Sequence, residues 1–314
     1  MAKTAFLFPG QGSQYVGMGQ ELAKQFPLAA RHFEEANEVL GFDLTKLCWE
    51  GPEEELKKTM NQQPAILMVS VACLALLQEN GLKPDVVAGL SLGEYSALVA
   101  ASTLQFRDAV PLVKRRGTYM QEAVPLGMGG MAAVLGFDAG VVDDLCLKAR
   151  HATGDWVEGA NYNCPGQVVV SGHWSAVEKV MELVSEAGGK AVKLSVTAPF
   201  HSKLLTRAGE MLAEALDNTT IRNPQVPVVA NVTADYVTEA AQIKDLLIRQ
   251  VSSPVRWEES VRRMIADGVE VFIEVGPSRA LSNFLKKIDR KLHVFNVENP
   301  KTLGEVLDSY GRVC

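Results

Sequence analysis

The stretch DVVAGLSLGEYSAL at residues 85–98 decides the fold, because an apolar run meets a serine between two glycines and then becomes a helical pattern. Residues 86–88 predict a buried strand, and the apolar spacing after Ser91 predicts a helix. Gly89 and Gly93 flank Ser91 at the G-x-S-x-G spacing of a nucleophile elbow, whose turn is too sharp for side chains at those two positions. The turn exposes the serine hydroxyl beside the first backbone N–H groups of the helix. The stretch therefore predicts a nucleophilic serine next to a site for an oxyanion.

The composition is that of a large globular protein. The chain has 314 residues, 47% of them hydrophobic, which is enough to bury a sizeable core. Lys and Arg total 31 against 37 for Asp and Glu, so the net charge is −6, and the chain has no Lys- or Arg-rich run. We therefore expect no nucleic-acid partner.

The cysteines and the apolar runs indicate a cytoplasmic protein. Five cysteines are scattered without a C-x-x-C pair, which predicts reduced thiols and no structural metal site; they are Cys48, Cys73, Cys146, Cys164 and Cys314. The first residues lead into a strand-like segment that is too short for a signal-peptide core. The longest apolar run, Ala65 to Leu77, has the length of a buried core helix rather than a membrane span. We therefore expect no association with a membrane.

Helix and strand patterns alternate along most of the chain, which predicts an α/β fold. The alternation implies a mostly parallel sheet with helices on both faces, similar to that of α/β-hydrolases. Residues 129–195 instead follow the order β-α-β-β-α-β, with a hairpin turn at residues 163–166, as in a ferredoxin-like unit. We therefore predict a large subdomain, formed by residues 1–128 and 196–314, that carries the nucleophile. Residues 129–195 form an inserted, ferredoxin-like small subdomain.

A glycine-rich loop at residues 9–19 follows the first predicted strand, residues 4–8, and invites a nucleotide-binding interpretation. A dinucleotide fingerprint that begins at Gly10 and Gly12 needs a third glycine where the chain has Tyr15, and no Gly-Lys-Ser/Thr follows for a phosphate loop. The spacing therefore disfavours a nucleotide-binding module. A loop at the carboxyl edge of a parallel sheet is still a suitable place for a ligand.

A serine nucleophile needs a neighbouring base, and five histidines are available. His201 lies in a predicted loop between the last strand of the insertion and a new helix, and loops at such junctions often carry functional residues. The other histidines lie in predicted helices, a turn and a strand; they are His32, His151, His173 and His293. His201 is therefore the candidate base, which leaves open a serine hydrolase as well as a serine acyl transferase.

Several motifs occur in the order found in malonyl-CoA:acyl carrier protein transacylases, and the chain resembles that family over nearly its whole length. The motifs are FPGQGSQ at 8–14, GLSLGEY at 89–95, PFHS at 199–202, NVTA at 231–234, QVSSPVRW at 250–257 and EVGP at 274–277. The chain departs from the family pattern at Leu90, where many members have histidine. It departs again at Ser278, where a Gly-Pro-Gly sequence is often completed by glycine.

The resemblance implies a catalytic dyad of Ser91 and His201. In the family the imidazole is held by a backbone carbonyl, near Gln250 in this chain, rather than by a carboxylate. That arrangement accounts for the missing third member of a triad.

The resemblance also implies how an acyl group is held. The backbone N–H groups of Gln11 and Leu92 form the oxyanion hole, which gives the glycine-rich loop a use. Arg116 corresponds to the arginine that binds the malonyl carboxylate. From its place beside the candidate base, we expect Phe200 to narrow the space next to the malonyl α-carbon.

The implied reaction is ping-pong transfer of a malonyl group from malonyl-CoA to the phosphopantetheine thiol of an acyl carrier protein, through malonyl-Ser91, in fatty-acid biosynthesis. It needs no metal or redox cofactor. One alternative is a stand-alone acyltransferase that serves a polyketide synthase, and another is a serine thioesterase or esterase, which usually follows the order Ser…Asp/Glu…His. Carrier proteins are generally acidic, and one candidate basic docking surface is formed by Lys286, Lys287, Arg290 and Lys291.

Overall fold

Two sheets organise the protein, for which a computed structural model describes residues 2–313. The strands are β1 (Lys3–Phe8), β2 (Val86–Gly89), β3 (Gly129–Leu135), β4 (Val157–Cys164), β5 (Gln167–His173), β6 (Lys190–Lys193), β7 (Val228–Val229), β8 (Tyr236–Val237), β9 (Val269–Val275) and β10 (His293–Val297). The helices are α1 (Gln20–Gln25), α2 (Pro27–Leu40), α3 (Leu44–Glu50), α4 (Glu53–Leu56), α5 (Thr59–Glu79), α6 (Gly93–Ala100), α7 (Phe106–Glu122), α8 (Ala139–Thr153), α9 (Trp174–Glu186), α10 (Thr206–Asp217), α11 (Ala240–Gln250), α12 (Trp257–Ala266), α13 (Ala280–Ile288) and α14 (Pro300–Val313). A short 3₁₀ helix, Lys203–Leu205, precedes α10.

The larger sheet has six strands in the order β10-β9-β1-β2-β7-β8. Its neighbouring strands are parallel except for the antiparallel pair of β7 and β8. The predicted α/β fold with a mostly parallel sheet is therefore confirmed. Because β1, β2 and β7 are adjacent and parallel, the loops after them meet at one edge of the sheet. Those loops carry residues 9–13, Ser91 and Asn231.

The alternation of side chains along β1 shows why both faces of this sheet are covered. Phe6 and Phe8 pack into a core that includes residues of α2, α5 and α7. Ala5 and Leu7 point the other way and pack into a second core with residues of α12 and α13. Successive side chains of a strand face opposite sides, so a strand with four consecutive apolar residues, 5–8, needs helices on both faces of the sheet.

Helix α5 is the centre of the larger core. It is long and apolar enough to cross a membrane by length and composition, but 83% of its most apolar window is buried inside the protein. The run from Ala65 to Leu77 is therefore part of a core helix, as predicted. The sequence pattern predicts that this helix begins at Asn61, with Pro64 in its first turn, but it begins at Thr59, so Pro64 lies beyond the first turn.

The smaller sheet is antiparallel, with four strands in the order β4-β5-β3-β6. Residues of α8 and α9 pack against β3, β4 and β5 in a core of their own. Strand β4 runs to Cys164, so the hairpin turn is shorter than the predicted one at residues 163–166. Val255 ties this sheet to the rest of the protein, because its N–H donates to the Ala160 carbonyl and its carbonyl accepts from the Tyr162 N–H.

Some details of the predicted elements are wrong. The sequence pattern predicts a strand over residues 226–231, whereas the structure has only the two residues of β7, because the chain turns at residues 232–234 to pair β8 with β7. Helices α1 and α3 were not expected. Cys48, Cys73, Cys146 and Cys164 are free and buried, whereas Cys314 lies outside the described residues.

Candidate active site

The elbow places Ser91 directly after β2 in a left-handed backbone conformation, with a φ of 54°. A Cβ on Gly89 would lie 1.9 Å from the Gly93 carbonyl carbon, and a Cβ on Gly93 would lie 2.0 Å from the Phe8 carbonyl oxygen. Both distances are impossible for real atoms, so the two glycines allow the helix to cross tightly over the strand ends. Ser91 is 7% exposed, so its hydroxyl lies deeper than the predicted open position.

His201 lies against this serine, although 110 residues separate the two in the chain. The Ser91 Oγ and His201 Nε2 are 2.7 Å apart. The His201 Nδ1 is 2.8 Å from the main-chain carbonyl oxygen of Gln250. A carbonyl can only accept, so Nδ1 carries the proton and Nε2 is left to accept the serine proton. The structure thus brings together the serine, the imidazole and the carbonyl that the resemblance implied.

The surroundings of His201 keep it uncharged at neutral pH. Burial first, and then the positive charge of Arg116, lower the pKa of the imidazole to about 4, while hydrogen bonds to the Gln250 and Ser253 carbonyls act in the opposite direction. An uncharged imidazole has a free lone pair on Nε2 that can accept the serine proton, whereas a charged imidazolium has none. His201 is therefore ready to act as a base at neutral pH.

Adjacent residues of a helix point about 100° apart, so the three adjacent cations on α7 cannot all share one environment. Lys114 packs over the ring of Phe42, Arg115 is exposed, and Arg116 is 1% exposed. A Cβ on Gly117 would lie 2.5 Å from the Thr59 carbonyl oxygen, so this glycine allows α7 to approach the start of α5 closely. That approach brings Arg116 into the site.

Arg116 makes three hydrogen bonds through its terminal nitrogens. Nη1 donates to Gln63 Oε1 at 2.8 Å, and Nη2 donates to Gln250 Oε1 at 2.9 Å and to Ser91 Oγ at 3.1 Å. Its Nε has no acceptor among the described residues. A buried donor without an acceptor is unfavourable by about 1–3 kcal/mol, so the site is better satisfied when it holds an anion.

The residues expected to form the oxyanion hole lie on two segments in close contact. A Cβ on Gly10 would lie 2.3 Å from the Leu90 carbonyl oxygen, so the glycine-rich loop touches the elbow. The backbone N–H groups of Gln11 and Leu92 make no hydrogen bond to any of residues 2–313. Leu92 immediately precedes α6, where a free N–H is normal. The two amides are therefore available to a ligand.

Phe200 does not stand out as a residue of the site. Its side chain is 5% exposed and belongs to the core around α5. It is placed beside the base by sequence alone, as the residue before His201.

The structure adds residues to which the sequence analysis gave no role. Glu94, Asn231 and the side chain of Gln250 form a buried hydrogen-bonded network behind Ser91. Glu94 and Asn231 lie within the motifs of the resemblance, so a signal for them was present. Gln63 had no such signal, because it lies outside those motifs, among other polar residues at the start of α5.

Leu90 packs against the core, and we expect it to take no part in the chemistry. Its side chain is half-buried and packs against the core on the α12 and α13 side of the sheet. We expect Leu90→His to change turnover by less than about tenfold, which corresponds to roughly 1.4 kcal/mol of barrier. Steady-state transfer kinetics check this, and a hundredfold change in either direction would show that position 90 acts in the reaction.

Comparisons with known proteins show what the chain is similar to. The profile of the family described as "Acyl transferase domain" matches residues 5–305. A malonyl CoA-acyl carrier protein transacylase of Bacillus subtilis is 51% identical over 96% of each chain. The enzyme of the same name from Escherichia coli is 44% identical over 98% of this chain and 100% of its own.

Solved structures give the same result. The malonyl CoA-acyl carrier protein transacylase of Clostridium perfringens superposes with a TM-score of 0.96 at 44% identity, over 99% of this chain and 98% of its own. A malonyl-transacylase in complex with its type II PKS acyl-carrier protein superposes with a TM-score of 0.95 at 42% identity, over 98% of this chain and 100% of its own.

Proposed function

This chain belongs to the acyl transferase family, and we propose that it transfers a malonyl group from malonyl-CoA to the phosphopantetheine thiol of an acyl carrier protein. The observation that carries the proposal is the buried cation at the nucleophile, because Arg116 Nη2 lies 3.1 Å from Ser91 Oγ. A malonyl group differs from acetyl by one carboxylate, and a buried carboxylate must be paired to offset its desolvation. Arg116 supplies that partner beside the serine, with an Nε that is still unpaired within residues 2–313.

The first half of the reaction loads the serine. His201 Nε2 takes the proton of the Ser91 hydroxyl as Oγ attacks the thioester carbonyl of malonyl-CoA. The N–H groups of Gln11 and Leu92 stabilise the oxyanion that forms. When the C–S bond breaks, the proton passes from Nε2 to the leaving thiolate of coenzyme A, and malonyl-Ser91 remains.

The second half unloads it by the same route in reverse. The phosphopantetheine thiol gives its proton to His201 Nε2 and attacks malonyl-Ser91, and the Ser91 oxygen then recovers the proton from the imidazole. Protons balance between the serine, the imidazole and the two thiols. We therefore propose a reaction that uses no metal and no redox cofactor.

The way the base is held supports transfer over hydrolysis. A hydrolase with an elbow usually orients its histidine with an Asp or Glu carboxylate, whereas the carbonyl of Gln250 does so here. We place the reaction in cytoplasmic fatty-acid biosynthesis. The relative solved with a polyketide carrier protein keeps a polyketide role as the alternative.

Two further proposals concern the docking surface for the carrier protein and the organisation of the chain into subdomains. We propose that an acidic carrier docks against the exposed basic group at the end of α13, formed by Lys286, Lys287, Arg290 and Lys291. Lys287 contacts Gln167 of the insertion, at the boundary of the two subdomains. The strand order and the separate core of residues 129–195 support a ferredoxin-like small subdomain within the larger one of residues 1–128 and 196–314.

Arg116 gives the test that separates a malonyl transferase from a general serine acyl enzyme. Its planar guanidinium can give a carboxylate two parallel hydrogen bonds, each contributing roughly 1.5–3 kcal/mol. We expect Arg116→Ala to lower kcat/KM for malonyl-CoA by at least about 10² and to leave that for acetyl-CoA almost unchanged. Arg116→Lys should also damage malonyl transfer, because lysine offers a point charge.

The measurement is the acylation rate with each thioester in both proteins. We also propose that Phe200 narrows the space at the α-carbon, so wild type should use methylmalonyl-CoA poorly. Equal slowing of malonyl and acetyl transfer by Arg116→Ala would make Arg116 a structural residue and remove the argument for malonyl specificity.

A further inference from the structure

Glu94 is a buried carboxylate that the proposed reaction does not use. It lies in the first turn of α6, three residues after the nucleophile, and is 3% exposed. One of its oxygens, Oε2, accepts two hydrogen bonds, from Gln250 Nε2 at 2.8 Å and from the Asn231 backbone N–H at 3.0 Å. Two buried N–H donors converge on this oxygen, and a buried donor without an acceptor is costly, so position 94 requires an acceptor.

Asn231 connects Glu94 to the elbow. Its side-chain Oδ1 accepts from the Ser91 N–H at 2.6 Å, and its Nδ2 donates to the Gly89 carbonyl at 2.7 Å. The asparagine therefore spans the strained turn from both sides. By fixing the backbone of Asn231, Glu94 contributes to the position of the serine.

Gln250 connects Glu94 to the other two functional groups. Its main-chain carbonyl accepts from His201 Nδ1, and its side-chain Oε1 accepts from Arg116 Nη2. Its Nε2 also donates to the Ser91 carbonyl oxygen at 3.0 Å. The same residue thus orients the base and the cation.

The amide of Gln250 can be useful in one orientation only. Its oxygen must face the guanidinium of Arg116, because an NH2 group there would meet another donor. Glu94 accepts from the opposite, nitrogen end of the amide, and in its ionised form it cannot donate in return. The acceptor at position 94, together with the Ser91 carbonyl that accepts from the same nitrogen, therefore selects the orientation that Arg116 needs.

The interposed amide also keeps Arg116 available. A carboxylate in direct contact with the guanidinium would take the donors that an incoming malonyl carboxylate requires. Glu94 reaches Arg116 only through Gln250, so its negative charge is near the cation without occupying it. The site holds a buried arginine in place and leaves it able to bind an anion.

We infer that Glu94 is a positioning residue, which fixes the Gln250 amide and thereby the direction in which Arg116 faces the acyl group on Ser91. This inference rests on the proposed malonyl transfer, since its effect is specific to an acyl group with a carboxylate. A residue with a merely structural role would lower the amount of active enzyme for every thioester equally. The ratio of malonyl to acetyl transfer therefore isolates the positioning role.

The test compares acylation of Ser91 by malonyl-CoA and by acetyl-CoA in four variants of the full chain. We expect Glu94→Ala to lower the malonyl-to-acetyl ratio of kcat/KM by at least about tenfold, because a misplaced binding group costs up to about 10² in rate. Glu94→Gln keeps an acceptor oxygen at this position, so it should lower the malonyl-to-acetyl ratio by no more than about threefold from the wild-type value. Ser96→Ala is the matched control, because Ser96 lies on the same helix, is buried and has a hydroxyl with no partner in the described part of the chain.

Gln250→Met keeps the test valid if Glu94→Ala fails to fold. It retains the main-chain carbonyl for His201 and removes the amide, so it should lower the same ratio by a similar factor. A wild-type ratio in either folded variant, or an equal fall in Ser96→Ala, overturns the inference. If wild type itself forms no malonyl-serine adduct, the proposed function has failed instead, and the two failures are thus distinguished.

Discussion

Ser91→Ala is expected to abolish the covalent malonyl adduct while the fold survives. No other hydroxyl can take its place, because Ser91 Oγ is the one that contacts both His201 Nε2 and Arg116 Nη2 among the described residues. A missing nucleophile removes the whole covalent pathway, so the rate of transfer should fall by about 10⁴ or more. The measurement is the intact mass of the protein after incubation with malonyl-CoA, followed by addition of a carrier protein that bears its phosphopantetheine arm.

The fold should tolerate this change. Removing one hydroxyl leaves little cavity, and alanine has the same Cβ at the strained φ of 54° as serine. Stability measured by thermal unfolding should therefore change by less than about 1.5 kcal/mol. Ser96→Ala serves as a matched serine variant that should keep the adduct. An adduct at wild-type level in Ser91→Ala would move the nucleophile to another residue.

The elbow could be predicted from the sequence because its rule is local. Gly89 and Gly93 are required by contacts within a few residues of Ser91 and with the end of the neighbouring strand, so the G-x-S-x-G spacing carries the geometry. The apolar run predicted the core helix α5, and the alternation of strand and helix patterns predicted the parallel sheet, because such patterns report which faces of each element are buried.

The base and the cation needed more than local rules. His201 and Arg116 reach Ser91 from sequence separations of 110 and 25 residues, and no pattern around either residue states what it will face. The junction of the insertion favoured His201 over four other histidines, and the resemblance supplied the rest. For Arg116, helix periodicity predicted only that it differs in environment from its neighbours.

The hydrogen-bond partners of the residues behind the serine could not be predicted from the sequence. Glu94 looks like an acidic residue in the first turn of a helix, where a carboxylate favours the positive end of the dipole. Its actual partners are 137 and 156 residues away, at Asn231 and Gln250. Whether a buried polar residue is satisfied depends on tertiary packing, so that question could be answered only with coordinates. Helix α3 was missed because its seven residues are too few for a clear period.

His201→Ala is expected to slow acylation of Ser91 by about 10² to 10⁴, because a positioned general base contributes that much to the rate. The serine remains in place with its oxyanion amides, so a slow adduct should still form and saturate at the wild-type mass. Rapid-quench measurements of adduct formation with malonyl-CoA give the rate directly. An unchanged acylation rate would end the interpretation of Ser91 and His201 as a dyad.

The pH dependence of acylation tests the same residue in the unaltered enzyme. Burial first, and then the charge of Arg116, lower the pKa of His201 from 6.5 to about 4, so the neutral imidazole that accepts the serine proton persists well below neutral pH. We expect the acid limb of kcat/KM to lie near pH 4, whereas an enzyme with an ordinary histidine as its base would lose activity around pH 6.5. The stability that His201 contributes has the same sign, being complete above pH 6.5 and lost as the pH falls through about 4.

Glu94 titrates in a different range and can be separated from the base. Burial raises its pKa to about 7, while hydrogen bonds from Asn231 and Gln250 and the charge of Arg116 act in the opposite direction, so we assign a shallow change in rate near neutral pH to the Glu94 carboxyl.

Arg116→Ala removes the electrostatic repulsion on the His201 imidazole and should move the acid limb upward, towards pH 6.5, when acetyl-CoA is the substrate. Circular dichroism at each pH confirms that the enzyme is folded where rates are compared. A wild-type acid limb centred near pH 6.5 would mean that His201 is exposed to solvent and is not held by the Gln250 carbonyl.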